Sequence, residues 1–376
     1  MTQSSEPKTV ESGRNVSLDI RHIILTNGVP ILFLALSITM ALVAGLNFTF
    51  LLNEVITRLA RNSLLVLSLL IPVTAGMGLN FGIVIGAMAG QASVIAVTYW
   101  GITGVRGFLL ACLLSTPLAA ITGWLAGLVL NRAKGREMIT SMILGFFANG
   151  IYQLIFLFLV GPIIPLKSAA MLLPQGIGVR NTVDLINIAQ SLDKIWRPVI
   201  GGVRIPVVTL LISFGMCVII AFLMKTKMGQ NLRAVGQDMN IAEVMGIKVD
   251  KTRIIAMILS TVIAGWGQLI FLQNIGTLNT YNSHEQVGMF SIAALLVGGA
   301  STRRATIFQA VAGVILFHTL FVVSPLAGQR LFGVPQIGEY FRVFVAYGII
   351  AVALALHAWQ GRQVRREAIR EAMLTE

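Results

Sequence analysis

Residues 225–253 read KTKMGQNLRAVGQDMNIAEVMGIKVDKTR, a charged segment set between strongly apolar stretches. Its residue types suit a docking surface on the water side of a membrane. Asp238 is placed to cap a short helix over 239–245, because a carboxylate accepts the unpaired N–H groups that open a helix, and Gly246 suits the left-handed position that ends one. Asp250 reads as the cap of the long helix that follows, from Lys251 onward. Asn240, Glu243 and Val244 would then face a partner, and a push on them would pass into the span that starts near Ile254.

The chain around this loop is apolar throughout. Of its 376 residues 56% are hydrophobic and 11% charged, with a mean hydropathy of +0.83, whereas soluble domains carry roughly 25% charged residues. Residues 62–105, 107–131, 138–166, 254–284 and 343–361 contain no Asp, Glu, Lys or Arg. About 20 apolar residues cross a bilayer core, so each block supplies at least one span. The fold predicted is an all-α membrane protein, a bundle of about ten spans near 29–51, 63–79, 82–100, 107–130, 138–160, 205–224, 254–274, 287–300, 305–326 and 341–360. Breaks at 76–82 and 299–301 suit a kinked or re-entrant segment equally well.

Lys and Arg favour the cytoplasmic side of short loops. With the N-terminus inside, the basic residues gather in the N-terminal tail, around Arg132–Lys134–Arg136, in 225–253, at Arg303–Arg304 and in the C-terminal tail, leaving few in the outside connections. Both termini are predicted cytoplasmic, with tails at 1–28 and 361–376, a transmembrane region at 29–360 and an external segment at 161–204. The net charge of +13 follows largely from this asymmetry and from contact with anionic headgroups, so nucleic acid is not expected as a partner. No cleavable leader is apparent ahead of the first span. Cys112 and Cys217 lie within spans, without metal or disulfide spacing.

No GxxxxGK[ST] occurs, so the chain has no phosphate-cradling loop with which to hydrolyse a nucleotide. The predicted spans also lack Asp and Glu, the groups that ion-driven carriers commonly place at mid-membrane. His284, near a span end, and His318 and His357, within spans, read as packed or interfacial residues. A secondary carrier is thereby disfavoured, and neither a cofactor nor a metal is expected.

Gly229, Leu232, Arg233, Ala234, Gly236, Ala242, Gly246, Ile247, Val249 and Asp250 together resemble the cytoplasmic signature of permease subunits of bacterial ABC importers, in the family serving ribose-type sugars, nucleosides and branched-chain amino acids. Two residues depart from that pattern, Asp238 and Ile241. The run REMITSMILGFFANGIYQ at 136–153 is similar to the fifth span of the sugar and nucleoside branch, and FSIAALLVGGAS at 290–301 to an element near the eighth. The resemblance implies an inner-membrane transport subunit that is not itself an enzyme. Its implied partners are ABC ATPase subunits, a second permease copy or a similar chain, and an extracytoplasmic substrate-binding protein. It also makes the short helix ending at Gly246 a coupling helix, served by Gly229, Arg233, Gly236, Asp238, Asn240, Ala242, Glu243 and Gly246.

A path for a sugar or nucleoside needs neutral hydrogen-bonding side chains. Thr74, Asn80, Gln91, Ser93, Asn149, Gln153, Gln268 and Ser291 are the candidates, with Phe146, Phe147 and Trp266 for stacking. Gly82, Gly86 and Gly90 recur every four residues and make a flat packing groove, while Gly76, Gly78 and Asn80 interrupt an apolar helix, as is tolerated beside a cavity. In the external segment Leu185, Ile188, Leu192 and Ile195 recur at helical spacing and predict a short interfacial helix.

Overall fold

In the computed structural model of the chain, residues 20–166, 170–352 and 355 are described, with residues 20–27 by backbone alone. The predicted C-terminal tail 361–376, residues 1–19 of the predicted N-terminal tail and His357 fall outside these residues, whereas residues 20–28 of that tail belong to α1. Twelve helices run in order: α1 Ile20–Ala44, α2 Phe48–Ser68, α3 Leu70–Thr74, α4 Ile83–Tyr99, α5 Gly104–Arg132, α6 Glu137–Leu154, α7 Val207–Lys225, α8 Lys227–Gln237, α9 Met239–Val244, α10 Val249–Ile275, α11 Ser283–Val297 and α12 Ile307–Phe332. Residues 335–352 are helical as well, and α6 continues as one π-helical turn, Ile155–Leu159.

Six of these stretches are long and apolar enough to cross a membrane: Phe48–Thr74, Gly104–Arg132, Glu137–Leu159, Val207–Lys225, Val249–Ile275 and Ile307–Phe332. Gly28–Ala44 and Ile83–Tyr99 are apolar but shorter. Among the described residues, length and composition support six spans and do not confirm the expected ten; α3 lies within the expected span 63–79, α9 falls in the expected short helix at 239–245, and α8 is a further short helix of the 225–253 loop.

Helix α10 runs through the middle, packed on α5, α4 and α2. Small residues allow the approach. The Thr261 carbonyl leaves no room for a Cβ at Gly86, and a Cβ at Gly90 would lie 2.6 Å from the Gly265 carbonyl oxygen. Gly82 belongs elsewhere, beside Asn80 in the break before α4. Across these contacts hydroxyls bond to neighbouring backbone: Ser260 Oγ donates to the Ser68 carbonyl (2.9 Å) and Thr261 Oγ1 to that of Ala119 (3.0 Å). Such pairing is what a bundle in lipid requires of its polar groups.

The first two spans divide differently from the expectation. Helix α1 stops at Ala44, Gly45 takes a left-handed φ of 60°, and Asn47 caps α2, its Oδ1 accepting the Thr49 N–H at 2.9 Å. Glu54, Arg58 and Arg61 therefore lie inside a helix. Arg58 pairs with Glu54 one turn away (3.3 Å), and Arg61 donates to Asn274 Oδ1 (3.0 Å).

The interfacial helix expected near 185–195 does not form. Residues 186–195 make successive turns, and Gln190 sits at φ 55°. The segment folds onto the bundle instead: β1 Thr182–Asp184 pairs antiparallel with β4 Thr277–Asn279, while β2 Val199–Ile200 and β3 Val203–Arg204 form a small hairpin. Leu185, Ile188 and Leu192 are buried, but Ile195 is exposed. Asp193 is buried and accepts from Thr209 Oγ1 (2.5 Å) and Asn274 Nδ2 (2.6 Å).

Candidate functional site

Helix α11 starts part-way down the bundle. Its 15 residues rise about 22 Å, and it runs beside α4 with His284 against Gln91 and Gly288 against Ile83 and Val84. The first turn of α11, the start of α4 and the middle of α6 enclose a cleft of about 330 Å³. Asn282, Glu285 and Gln286 form its polar wall, and Phe81, Phe146 and Tyr347 an aromatic one. Aromatic faces beside a few convergent polar groups are the usual make-up of a site for a small polar ligand.

Behind the polar wall runs a hydrogen-bonded cluster. His284, fully buried, places Nδ1 2.8 Å from Gln91 Oε1 and Nε2 2.9 Å from Asn149 Oδ1. Asn149 Nδ2 donates to Glu285 Oε1, and Gln153 Nε2 reaches Asn149 Oδ1 at 3.4 Å. Among the described residues Glu285 has no ion-pair partner.

The cluster unites three of the residues proposed from sequence for a solute path: Gln91, Asn149 and Gln153. Gln268 lies next to it, its Nε2 3.4 Å from Ser283 Oγ. The others do not join. Thr74 and Ser291 bond to the carbonyls of Leu70 and Val287 in their own helices, as Ser93 does to that of Ala89. Asn80 Oδ1 accepts the Gly82 N–H at 2.9 Å and shapes the break. Of the three aromatic candidates, Phe146 lines the cleft, Phe147 lies in an apolar groove between α4, α5 and α6, and Trp266 donates to Thr116 Oγ1 at 3.0 Å.

The 225–253 loop folds as two helices. Thr226 caps α8, and Asp238 caps α9, accepting the N–H groups of Asn240 (2.8 Å) and Ile241 (3.0 Å). Gly246 ends the turn at φ 82°. Asp250 is no cap: α10 begins at Val249 after Lys248, and Asp250 pairs with Lys134 at 2.7 Å. The buried Ala242 packs with Val235 and Val249. On the other side Asn240 and Glu243 are exposed together with Ile241 (60%), Val244 (90%) and Met245 (73%). Ile241 and Val244 of α9 and Met245 just after it thus present apolar side chains to the surface beside the polar Asn240 and Glu243.

Besides the Asp250–Lys134 pair, two links join the loop to the bundle. Gly236 packs against the Thr74 carbonyl and Gly76, so the end of α8 touches the break between α3 and α4, and a Cβ at Gly78 in the same break would lie 2.8 Å from the Met138 side chain of α6. The second is Arg253 of α10, fully buried, whose Nη2 pairs with Glu137 Oε1 at 2.6 Å and whose Nη1 lies 2.8 Å from Met239 Sδ of α9. Gly229 fits where the Leu223–Met224 backbone leaves no space for a Cβ, and Arg233 Nη2 donates to the Met224 carbonyl.

His284, Glu285, Glu137 and Arg253 are not among the site residues that sequence identifies. Glu285 falls outside because the predicted eighth span starts at 287, four residues after the helix begins. The available signal is the polar run TYNSHEQ at 280–286, directly ahead of an apolar stretch. Among the described residues, no group of three or more His, Cys, Asp or Glu is placed to hold a metal.

The profile of a family described as the permease component of the branched-chain amino acid transport system matches residues 51–355. A fructose import permease protein of Bifidobacterium longum is 24% identical over 75% of this chain and 77% of its own length. A nucleoside ABC transporter permease protein of Lactococcus lactis is 31% identical over 36% of this chain and 40% of its own. A galactose/methyl galactoside import permease protein of Salmonella typhimurium is 29% identical over 42% and 44%. No solved structure matches the chain.

Proposed function

Because the chain belongs to the family of permease components of branched-chain amino acid type transport systems, we propose that it is the multi-pass membrane subunit of an ATP-driven importer for a small neutral polar solute. Simple sugars and nucleosides lead as cargo, since the permeases reported above carry fructose, a nucleoside and galactose by name. The observation behind the pathway is the cleft with Asn282, Glu285 and Gln286 on its wall. A carboxylate at membrane depth without an ion pair requires water or a polar ligand beside it. Branched-chain amino acids, named in the family's description, are the second reading.

In this account ATP is hydrolysed on separate subunits docked against Asn240, Glu243, Ile241 and Val244, on the cytoplasmic side of a bacterial inner membrane. Their closure moves α9, and the contacts of Gly236 and Arg253 carry that movement to the α3–α4 break and to α6. All ten apolar stretches cross or enter the membrane, α4 and α11 as shortened helices beside the path, and both termini are cytoplasmic. A second permease, identical or similar, completes the pathway, and a substrate-binding protein delivers the solute from outside.

Affinity purification in mild detergent tests the assignment. An ATPase subunit and a binding protein that binds a sugar or nucleoside accompany the chain; a chain that purifies alone and takes up solute on an ion gradient contradicts it.

A further inference from the structure

We infer that Glu285 is the charge filter of the cleft, admitting neutral hydroxyl-bearing solutes and cations while holding out anions such as sugar phosphates and nucleotides. The inference rests on the reading of the cleft as the solute's path. Glu285 stands on the cleft wall, its Oε1 bonded to neutral Asn149, and neither oxygen has an ion-pair partner among the described residues. Its neighbours on the cleft wall, Asn282 and Gln286, are neutral, so the field of this one charge reaches across the opening without an opposing charge from the lining.

The cluster behind it fixes which group the carboxylate meets. Both ring nitrogens of His284 face amide oxygens, Gln91 Oε1 at 2.8 Å and Asn149 Oδ1 at 2.9 Å, while the buried Gln91 Nε2 has no partner among the described residues. A neutral imidazole has one N–H and one lone pair, so one of these amides turns its nitrogen to the ring. Turning Gln91 gives its Nε2 a partner; turning Asn149 would set an acceptor oxygen against the Glu285 carboxylate. The bonds therefore run one way: Gln91 donates to His284 Nδ1, His284 Nε2–H to Asn149 Oδ1, and Asn149 Nδ2 to Glu285. Gln91, His284 and Asn149 are positioning residues that present an amide donor to one carboxylate oxygen and leave the other for a ligand.

Charged thiol reagents read the filter directly. Met289 also lines the cleft, one helical turn beyond Glu285. With Cys112 and Cys217 replaced by alanine and Met289→Cys introduced, the purified complex is treated with a trimethylammonium-ethyl and with a sulfonato-ethyl methanethiosulfonate. Each rate is divided by that of the same reagent with a free thiol in solution. The cation then reacts about tenfold faster than the anion or more. Glu285→Gln brings the ratio to near one, Glu285→Asp keeps the preference, and Asn149→Ala, which leaves the charge free to turn away, gives an intermediate ratio. Equal rates without Glu285→Gln, or a ratio that this substitution does not change, overturn the filter and leave the path intact. A ratio unchanged by Asn149→Ala removes the positioning cluster from the account. An introduced thiol that reacts with neither reagent sinks the path itself.

Discussion

Gly236 and Gly76 meet backbone to backbone: a Cβ built on Gly76 would lie 2.8 Å from the Gly236 Cα, and a Cβ on Gly236 has no room beside the Thr74 carbonyl. The end of α8 thus rests on the point where the second span breaks. A side chain at either position must part the loop from the bundle, because interiors this tightly packed do not absorb an extra methyl group without displacement.

Gly236→Val therefore uncouples the complex. Solute-stimulated ATP hydrolysis and uptake in proteoliposomes both fall about tenfold or more, while membrane insertion and yield stay near those of the parent chain. Gly246→Ala is gentler, since no atom lies within 4 Å of a Cβ there and only the left-handed backbone, at roughly 1–2 kcal/mol, opposes it. Equal effects at the two glycines would contradict the packing argument.

Arg253→Ala leaves Glu137 as a buried carboxylate without its partner. Removal of one member of a buried pair costs about 3–5 kcal/mol, so the thermal midpoint in detergent falls markedly. Arg253→Met with Glu137→Leu, which removes both charges and keeps the bulk, restores most of it. A double variant no more stable than Arg253→Ala would show that the pair is not the reason for the loss.

Val244→Asp changes a side chain that is almost fully exposed and touches no core. Its expected effect on the isolated subunit's stability is within about 0.5 kcal/mol. Copurification of the ATPase should nonetheless be lost. Retained ATPase would assign the docking surface elsewhere.

His284→Leu removes both bonds that hold Asn149 and Gln91 and leaves two buried amides short of partners, at about 1–3 kcal/mol each. Uptake is lost in this variant, and His284→Gln, which can reproduce one bond, recovers part of it. Wild-type uptake in the leucine variant would disconnect the cluster from transport.

What sequence reveals here follows the range of the forces involved. The apolar blocks are legible because about 20 charge-free residues have few alternatives to a span. The Asp238 cap and the Gly246 turn are legible because each is decided within one turn of helix. The start of α2 is not, since Arg61 inside that helix bonds through Nη1 to Asn274, which is 213 residues away. Asp250 looks like a cap, but its pairing with Lys134 depends on how α5 and α10 meet. The spacing of Leu185, Ile188 and Leu192 marks burial correctly but not helix, because pairing with β4 and the bond from the Gln190 N–H to the Gln273 carbonyl (2.6 Å) win over local periodicity. Gln91 and Asn149 are recognisable as polar groups in spans. Their convergence on His284 and Glu285 needs the fold.

The most direct measurement introduces Val244→Cys into a chain lacking Cys112 and Cys217, and follows the new thiol in intact cells and in the purified complex. A membrane-impermeant maleimide labels it only after the membrane is opened, and an oxidant joins it to the ATP-hydrolysing subunit carrying a matching cysteine. Labelling from outside intact cells, or free access to the thiol with that subunit bound, contradicts a permease driven from the cytoplasm through α9.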